Sequence, residues 1–205
     1  MRKLLLLCCL QAQWLFGQGT PLDSLEQRFA SEQSDAQKLE LLSQMTGIAY
    51  NMDIKIALGY AKRGVALAEK TGDKNWQPKF YEMRGRMHAN LSQLDSAMLF
   101  FDKAISGYLA VGNKKGQATT SFKIAWVHKR RGEIEQSMAT DLSALRLMEE
   151  LGDQEGIADA LGRVSWDLSI QGRQEEALEY AQKGIQICQK NGLQEQLTTA
   201  LRYAG

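Results

Sequence analysis

Side chains able to do chemistry recur in this chain at intervals of 40 residues. Arg86, Trp126 and Trp166 form one such series, Met83, Lys123 and Arg163 form a second, and Lys129 and Arg130 follow Trp126 closely. Guanidinium, ammonium and indole groups gathered on one surface suit an acidic side chain or a terminal carboxylate, through charge-assisted hydrogen bonds and stacking. Alternatively the tryptophans pack between neighbouring elements and the cations are simply solvated. His88 and His128 share the same interval and invite a metal-site interpretation. Adjacent helices lie about 8–10 Å apart whereas zinc holds its nitrogens at about 2 Å, and no cysteine or further histidine completes a ligand set. Two packed core histidines are expected instead, and no cofactor.

Catalytic constellations are missing. Cys188 has apolar Ile185 and Ile187 beside it and no histidine in its own segment, which argues against a nucleophilic thiol. The carboxylates of "EIEQ" (133–136) and "QEEA" (174–177) stand where helices would begin, a placement that the helix dipole favours without any catalytic role. No phosphate-cradling glycine loop, GxSxG or HExxH is present.

The elements that position these residues repeat as well. Gly72, Gly112, Gly152 and Gly192 each close a similar stretch, as in "KTGDKN" and "ELGDQE", and a fixed period of 40 is the mark of a solenoid. Cutting at that period gives four units without insertions, 36–75, 76–115, 116–155 and 156–195. Within each, two helix-compatible runs are divided by a short polar break: "NMD" at 51–53, "LSQ" at 91–93, "RRG" at 130–132 and "IQG" at 170–172. Each unit is therefore predicted to be a helical hairpin. In the second run small residues recur at Ala57, Ala97, Ser137 and Ala177, and again seven residues later at Gly64, Ala104, Ala144 and Gly184. That spacing puts both on one helix face two turns apart, where a neighbouring helix can approach closely. Bulky Tyr60, Phe100, Phe101 and Tyr180 fall between them and can fill the space between helices. For the first runs, inward stripes are expected at Leu41, Met45 and Ile48, at Ser121, Ile124, Ala125 and His128, and at Leu161, Val164 and Leu168. Arg84 interrupts the stripe of the second unit.

With these features the chain resembles the tetratricopeptide repeat family. The likeness rests on the small residue of the first helix (Gly85, Ala125, Ser165), the glycine of the first turn (Gly132, Gly172), the small pair seven apart in the second helix and the aromatic between them. The variant is the longer repeat with a glycine-aspartate linker. The first unit departs from the pattern, with Met45 and Met52 where a small residue and a glycine are usual, and reads as a degenerate repeat or a cap. The resemblance implies an all-α fold, a right-handed superhelical solenoid of antiparallel helical hairpins, whose first helices line a concave groove holding a peptide or a partner's helix. It places Met83, Arg86, Lys123, Trp126, Lys129, Arg130, Arg163 and Trp166 on that groove. The family's carboxylate-binding pattern needs asparagines in the Arg86, Trp126 and Trp166 column, where there are none.

The ends carry their own signals. Residues 1–19 combine a basic start, an apolar run from Leu4 to Phe16 and small Gly17 and Gly19, the pattern of a secretory signal peptide. The run is short for a bilayer core of about 30 Å, although a membrane anchor or a buried helix are the alternatives. Residues 20–35 are expected to form a leading helix, with Leu22, Leu25 and Phe29 covering the first hairpin, and 196–205 match the opening of a fifth, truncated unit.

At 205 residues, 44% hydrophobic and 24% charged, the chain has the balance of a folded protein, and a net charge of +1 gives nucleic acid or anionic lipid no strong attraction. Loss of Arg2 and Lys3 with the leader would change this only to −1. The resemblance implies a non-enzymatic interaction module, and with the leader and the truncated fifth unit the chain looks like the sensory part of a larger bacterial signalling protein, exported to the periplasm or cell surface. Its partner would be a protein or peptide in the groove, with no membrane contact by the repeats and any anchor lying beyond residue 205. A free-standing secreted scaffold is the alternative.

Overall fold

The computed structural model describes residues 20–194 and 196–198. The expected signal peptide and the end of the expected fifth unit lie outside them. Among the described residues there are nine long helices and no strand. They fall into two compact units, the first ending at Gly72 and the second starting at Asp73.

The first unit holds α1 (Pro21–Ser31), α2 (Asp35–Met52) and α3 (Ile54–Thr71). Thr20 starts α1 through a reciprocal cap: its hydroxyl accepts from the Asp23 N–H at 3.2 Å, and the Asp23 carboxylate accepts from the Thr20 N–H at 2.7 Å. Leu25 is buried, with Leu22 and Phe29 half-buried on the same side, as the spacing predicts. In α2 the buried line runs through Leu42, Met45, Thr46 and Ala49, whereas Ile48 is only half-buried. Met52, lacking the conformational freedom of a turn glycine, remains helical, and the whole turn falls on the single residue Asp53. Its carboxylate caps α3 by accepting from the Lys55 N–H at 2.6 Å.

The second unit comprises three hairpins, α4 (Trp76–Asn90) with α5 (Leu94–Ala110), α6 (Lys114–Arg130) with α7 (Ile134–Leu151), and α8 (Gln154–Ile170) with α9 (Gln174–Asn191). Their turns are copies of one another. Gly132 and Gly172 both sit at φ 77°, in the left-handed region, and Ser92 takes the same place in the first of the three hairpins at φ 57°. The links are capped alike: Asn113 accepts from the Gly116 N–H at 2.8 Å, and Asp153 from the Gly156 N–H at 3.0 Å. The Lys115 ammonium and that backbone N–H hold the Asp153 carboxyl below the usual carboxylate range.

The small positions of the second helices are all buried, so α5, α7 and α9 approach their neighbours closely as expected. The stripe expected for α6 is displaced. Ser121, Ile124 and His128 are only half-buried, while Ala118, Thr120, Phe122, Ala125 and Val127 form the interior. A first helix packs both on its hairpin partner and on the preceding hairpin, which buries two faces and blurs any single stripe. Arg84 also has a place: its guanidinium stacks on the Phe100 ring, 3.8 Å from the centroid. The two histidines clip turns together and are only half-buried, not packed fully into the core. The Nδ1 atom of His88 lies 2.7 Å from Gln93 Oε1, and that of His128 2.6 Å from Glu133 Oε2, so each ties the end of a first helix to the start of its partner.

Candidate functional site

The first helices of the second unit each turn one face to the same groove. On α6 Thr119, Phe122, Lys123 and Trp126 follow the three-and-four spacing of a single helix face, on α8 Asp159 and Arg163 are one turn apart, and α4 contributes Arg86, Ala89 and Asn90. Phe101 of α5 closes the floor. These residues line a groove of about 370 Å³, large enough for several side chains of a peptide. Four of the eight residues anticipated from sequence, Arg86, Lys123, Trp126 and Arg163, thus share one cavity lining. The other four, Met83, Lys129, Arg130 and Trp166, are not in that lining. Met83 is half-buried, Lys129 turns inward to a carboxylate, Arg130 spreads its guanidinium over the Trp126 ring at 4.9 Å, and Trp166 is 41% exposed.

The groove's cations are not bare. Lys123 Nζ lies 3.0 Å from Glu82 Oε1, and the other Glu82 oxygen accepts from the Tyr108 hydroxyl at 2.8 Å and the Thr120 hydroxyl at 3.3 Å. Burial, with the Glu82 carboxylate beside it, pushes the Tyr108 hydroxyl far above its ordinary titration range, so it stays a donor. Arg163 pairs with Asp159 at 3.0 Å while its guanidinium lies over the Phe122 ring at 4.9 Å. Lys129 reaches the fully buried Asp167 at 2.6 Å, and the second Asp167 oxygen accepts from the Ser137 hydroxyl at 2.8 Å. Glu82, Asp159 and Asp167 are the partners that sequence reasoning missed. Trp126 also serves packing, since it lies against the cluster of Ala89, Ala97, Phe101 and Val127.

The result is a groove of alternating charge over an aromatic floor, able to exchange its internal ion pairs for pairs with a bound chain. Among the described residues no group of histidine, cysteine and carboxylate side chains could hold a metal ion. Cys188 is buried in α9, where desolvation pushes its thiol up, away from the reactive thiolate.

A family model described as a tetratricopeptide repeat matches residues 157–191, the α8–α9 hairpin. The α8–α9 hairpin is a tetratricopeptide repeat. Solved structures agree over most of the chain. Aspartyl phosphate phosphatase F from Bacillus subtilis is similar at TM-score 0.81 and 19% identity, over 90% of this chain and 50% of that one. A Rap protein complexed with Competence and Sporulation Factor gives TM-score 0.79 and 14% identity, over 87% of this chain and 51% of that one. A signal transduction ATPase with numerous domains from Pyrococcus horikoshii, which carries a tetratricopeptide repeat sensor, gives 0.77 and 15%, over 88% and 28%. At such identities the likeness speaks for the fold alone, and the chain spans about half the length of the phosphatase. No curated protein matches the sequence. Among the described residues no helix of these repeats is long and apolar enough to cross a membrane.

Proposed function

We propose that the groove of the second unit binds a peptide or an extended segment of a partner protein, as part of an exported sensory region belonging to a larger signalling protein. The observation that carries the binding reading is the gathering of Arg86, Lys123, Trp126 and Arg163 around one aromatic-floored groove. A carboxylate of the ligand would take Lys123 from Glu82, which keeps its hydrogen bonds from Tyr108 and Thr120 and so is not stranded. The exchange takes the cation from Glu82 Oε1 but leaves Oε2 its two hydroxyl donors, so the carboxylate keeps part of its support and Lys123 is a usable contact although it is already engaged.

Selection of a random hexapeptide library on the immobilised protein tests this. Peptides with an acidic side chain or free carboxylate should be enriched, and Lys123→Met should weaken their binding about ten- to a hundredfold, the effect of losing one charge-assisted contact of roughly 1.5–3 kcal/mol. The melting point should stay within a few degrees. Unchanged affinity in the variant would remove Lys123 from the site.

The sensory setting draws support from the leader-like residues 1–19. Two similar folds point the same way, one complexed with Competence and Sporulation Factor and one with a repeat sensor. A fusion of residues 1–205 to a phosphatase that folds only outside the cytoplasm should be active in bacteria and lose that activity when residues 1–19 are deleted. An inactive full fusion would contradict export.

A further inference from the structure

One repeat beyond the aromatic floor, the interior changes character. Asp141 of α7 occupies the place that Phe101 and Ala181 take in the neighbouring hairpins, and Ser137 the place of Ala97 and Ala177. Asp167 of α8 stands where Met87 and Val127 stand. Three positions that are apolar in the other repeats are therefore polar here, and all three are fully buried. A buried polar group without compensation is costly, so such a cluster in a repeat core marks a position serving something other than packing.

The cluster is also incomplete. Asp167 accepts a hydrogen bond from the Ser137 hydroxyl on one oxygen, while the other is in ion-pair range of Lys129 without a well-formed hydrogen bond. Neither carboxylate oxygen of Asp141 has a hydrogen-bond partner among the described residues. The charged groups acting on Asp141 are Lys129 of α6 and Asp159, Arg163 and Asp167 of α8. Three carboxylates thus face two cations, leaving one negative charge over, and two of those charged groups, Arg163 and Asp159, line the groove. A third cation would neutralise the set and supply Asp141 with donors.

We infer that this end of the groove is a cation subsite, taking a guanidinium or primary ammonium group of the ligand onto Asp141 as the Arg163 and Asp159 side chains swing aside. The subsite deepens the reading of the groove as a peptide site and rests on it: a mixed-charge ligand would lay its acidic group on Lys123 and its basic group here. Trp166, partly exposed, follows Arg163 by three residues on the same side of α8. An empty subsite would hold a proton instead. Burial raises the Asp141 carboxyl to about 7, so proton and ligand cation compete near neutrality.

The test needs no knowledge of the natural ligand. L-argininamide, cationic and without a carboxylate, is titrated into the full chain at pH 8, with the tryptophan fluorescence recorded and sodium chloride at equal ionic strength as the control. Saturable binding is expected, weakened at least tenfold in Asp141→Asn and by about tenfold per pH unit once the pH falls below 7. The pH series on the unaltered protein decides the matter even should Asp141→Asn fail to fold. Absence of saturable binding, or binding indifferent both to Asp141→Asn and to pH, would overturn the subsite. The acidic-peptide selection on Lys123 would then still stand or fall by its own result.

Discussion

Replacing Asp141 by asparagine is expected to stabilise the protein at pH 8.5 and to flatten the fall of its stability with pH. Asp141 is fully exposed to solvent only in the unfolded chain, where it titrates near its ordinary value, whereas burial raises it to about 7 in the folded state. Between those values the folded state binds the extra proton, so stability declines as pH rises from about 4 to about 7 and levels off above. At about 1.4 kcal/mol per pH unit the decline attributable to this one side chain is about 4 kcal/mol. Asparagine carries no charge to bury. It should match the parent only at about pH 4 and below, and exceed it by about 2–4 kcal/mol at pH 8.5, the lower figure allowing for an amide that itself lacks partners. Asp153, held low by Lys115 and a backbone N–H, contributes in the opposite sense, but only as pH falls through the carboxylate range. Urea unfolding of both proteins at pH 5 and pH 8.5 isolates Asp141. An Asp141→Asn protein with the parent's pH slope would show that the carboxylate is neither desolvated nor proton-linked.

The second large effect concerns the groove floor. Phe101 is 1% exposed, and its ring lies so close to the backbone of Gly85 that a methyl group there would come within 2.5 Å of it. Phe101→Ala empties that space and is expected to cost about 3–5 kcal/mol, because the surrounding helices cannot close over the lost ring. Gly85→Ala should also destabilise, by about 1–3 kcal/mol of overpacking against roughly 1 kcal/mol gained in helix propensity. Combined, the two should cost less than their sum, since the new methyl group moves into the space the ring leaves. Additive costs, or a neutral Gly85→Ala, would show that the contact does not constrain the hairpin. The small residue by which the repeat was first recognised thus has a physical reason at this position.

That pairing illustrates how much of the fold was written in the sequence. A helix pressed against a ring needs glycine, a left-handed turn favours glycine, and a repeated hairpin repeats both, so the 40-residue period located the helices to within a few residues. The stripe of α6 was legible only in part, because a helix buried on two faces does not keep its apolar residues on one. The candidate site was half legible. Periodicity aligned Arg86 with Trp126 and Lys123 with Arg163, but ion pairs form between columns and between hairpins, so Glu82, Asp159 and Asp167 as partners required three dimensions. Asp141 and Asp167 could have been found earlier, since each breaks an apolar column of the repeat.

The central claim is that the second unit's groove is where a ligand binds, and the most direct measurement is the footprint of a selected peptide on the indole N–H resonances of the labelled protein. Trp126 on the lining should shift in proportion to occupancy, with Trp166 following where the peptide runs on past Arg163, while Trp76, at the start of α4, stays in place. A saturating peptide that moves neither Trp126 nor Trp166 would place binding elsewhere on the repeats and contradict the account.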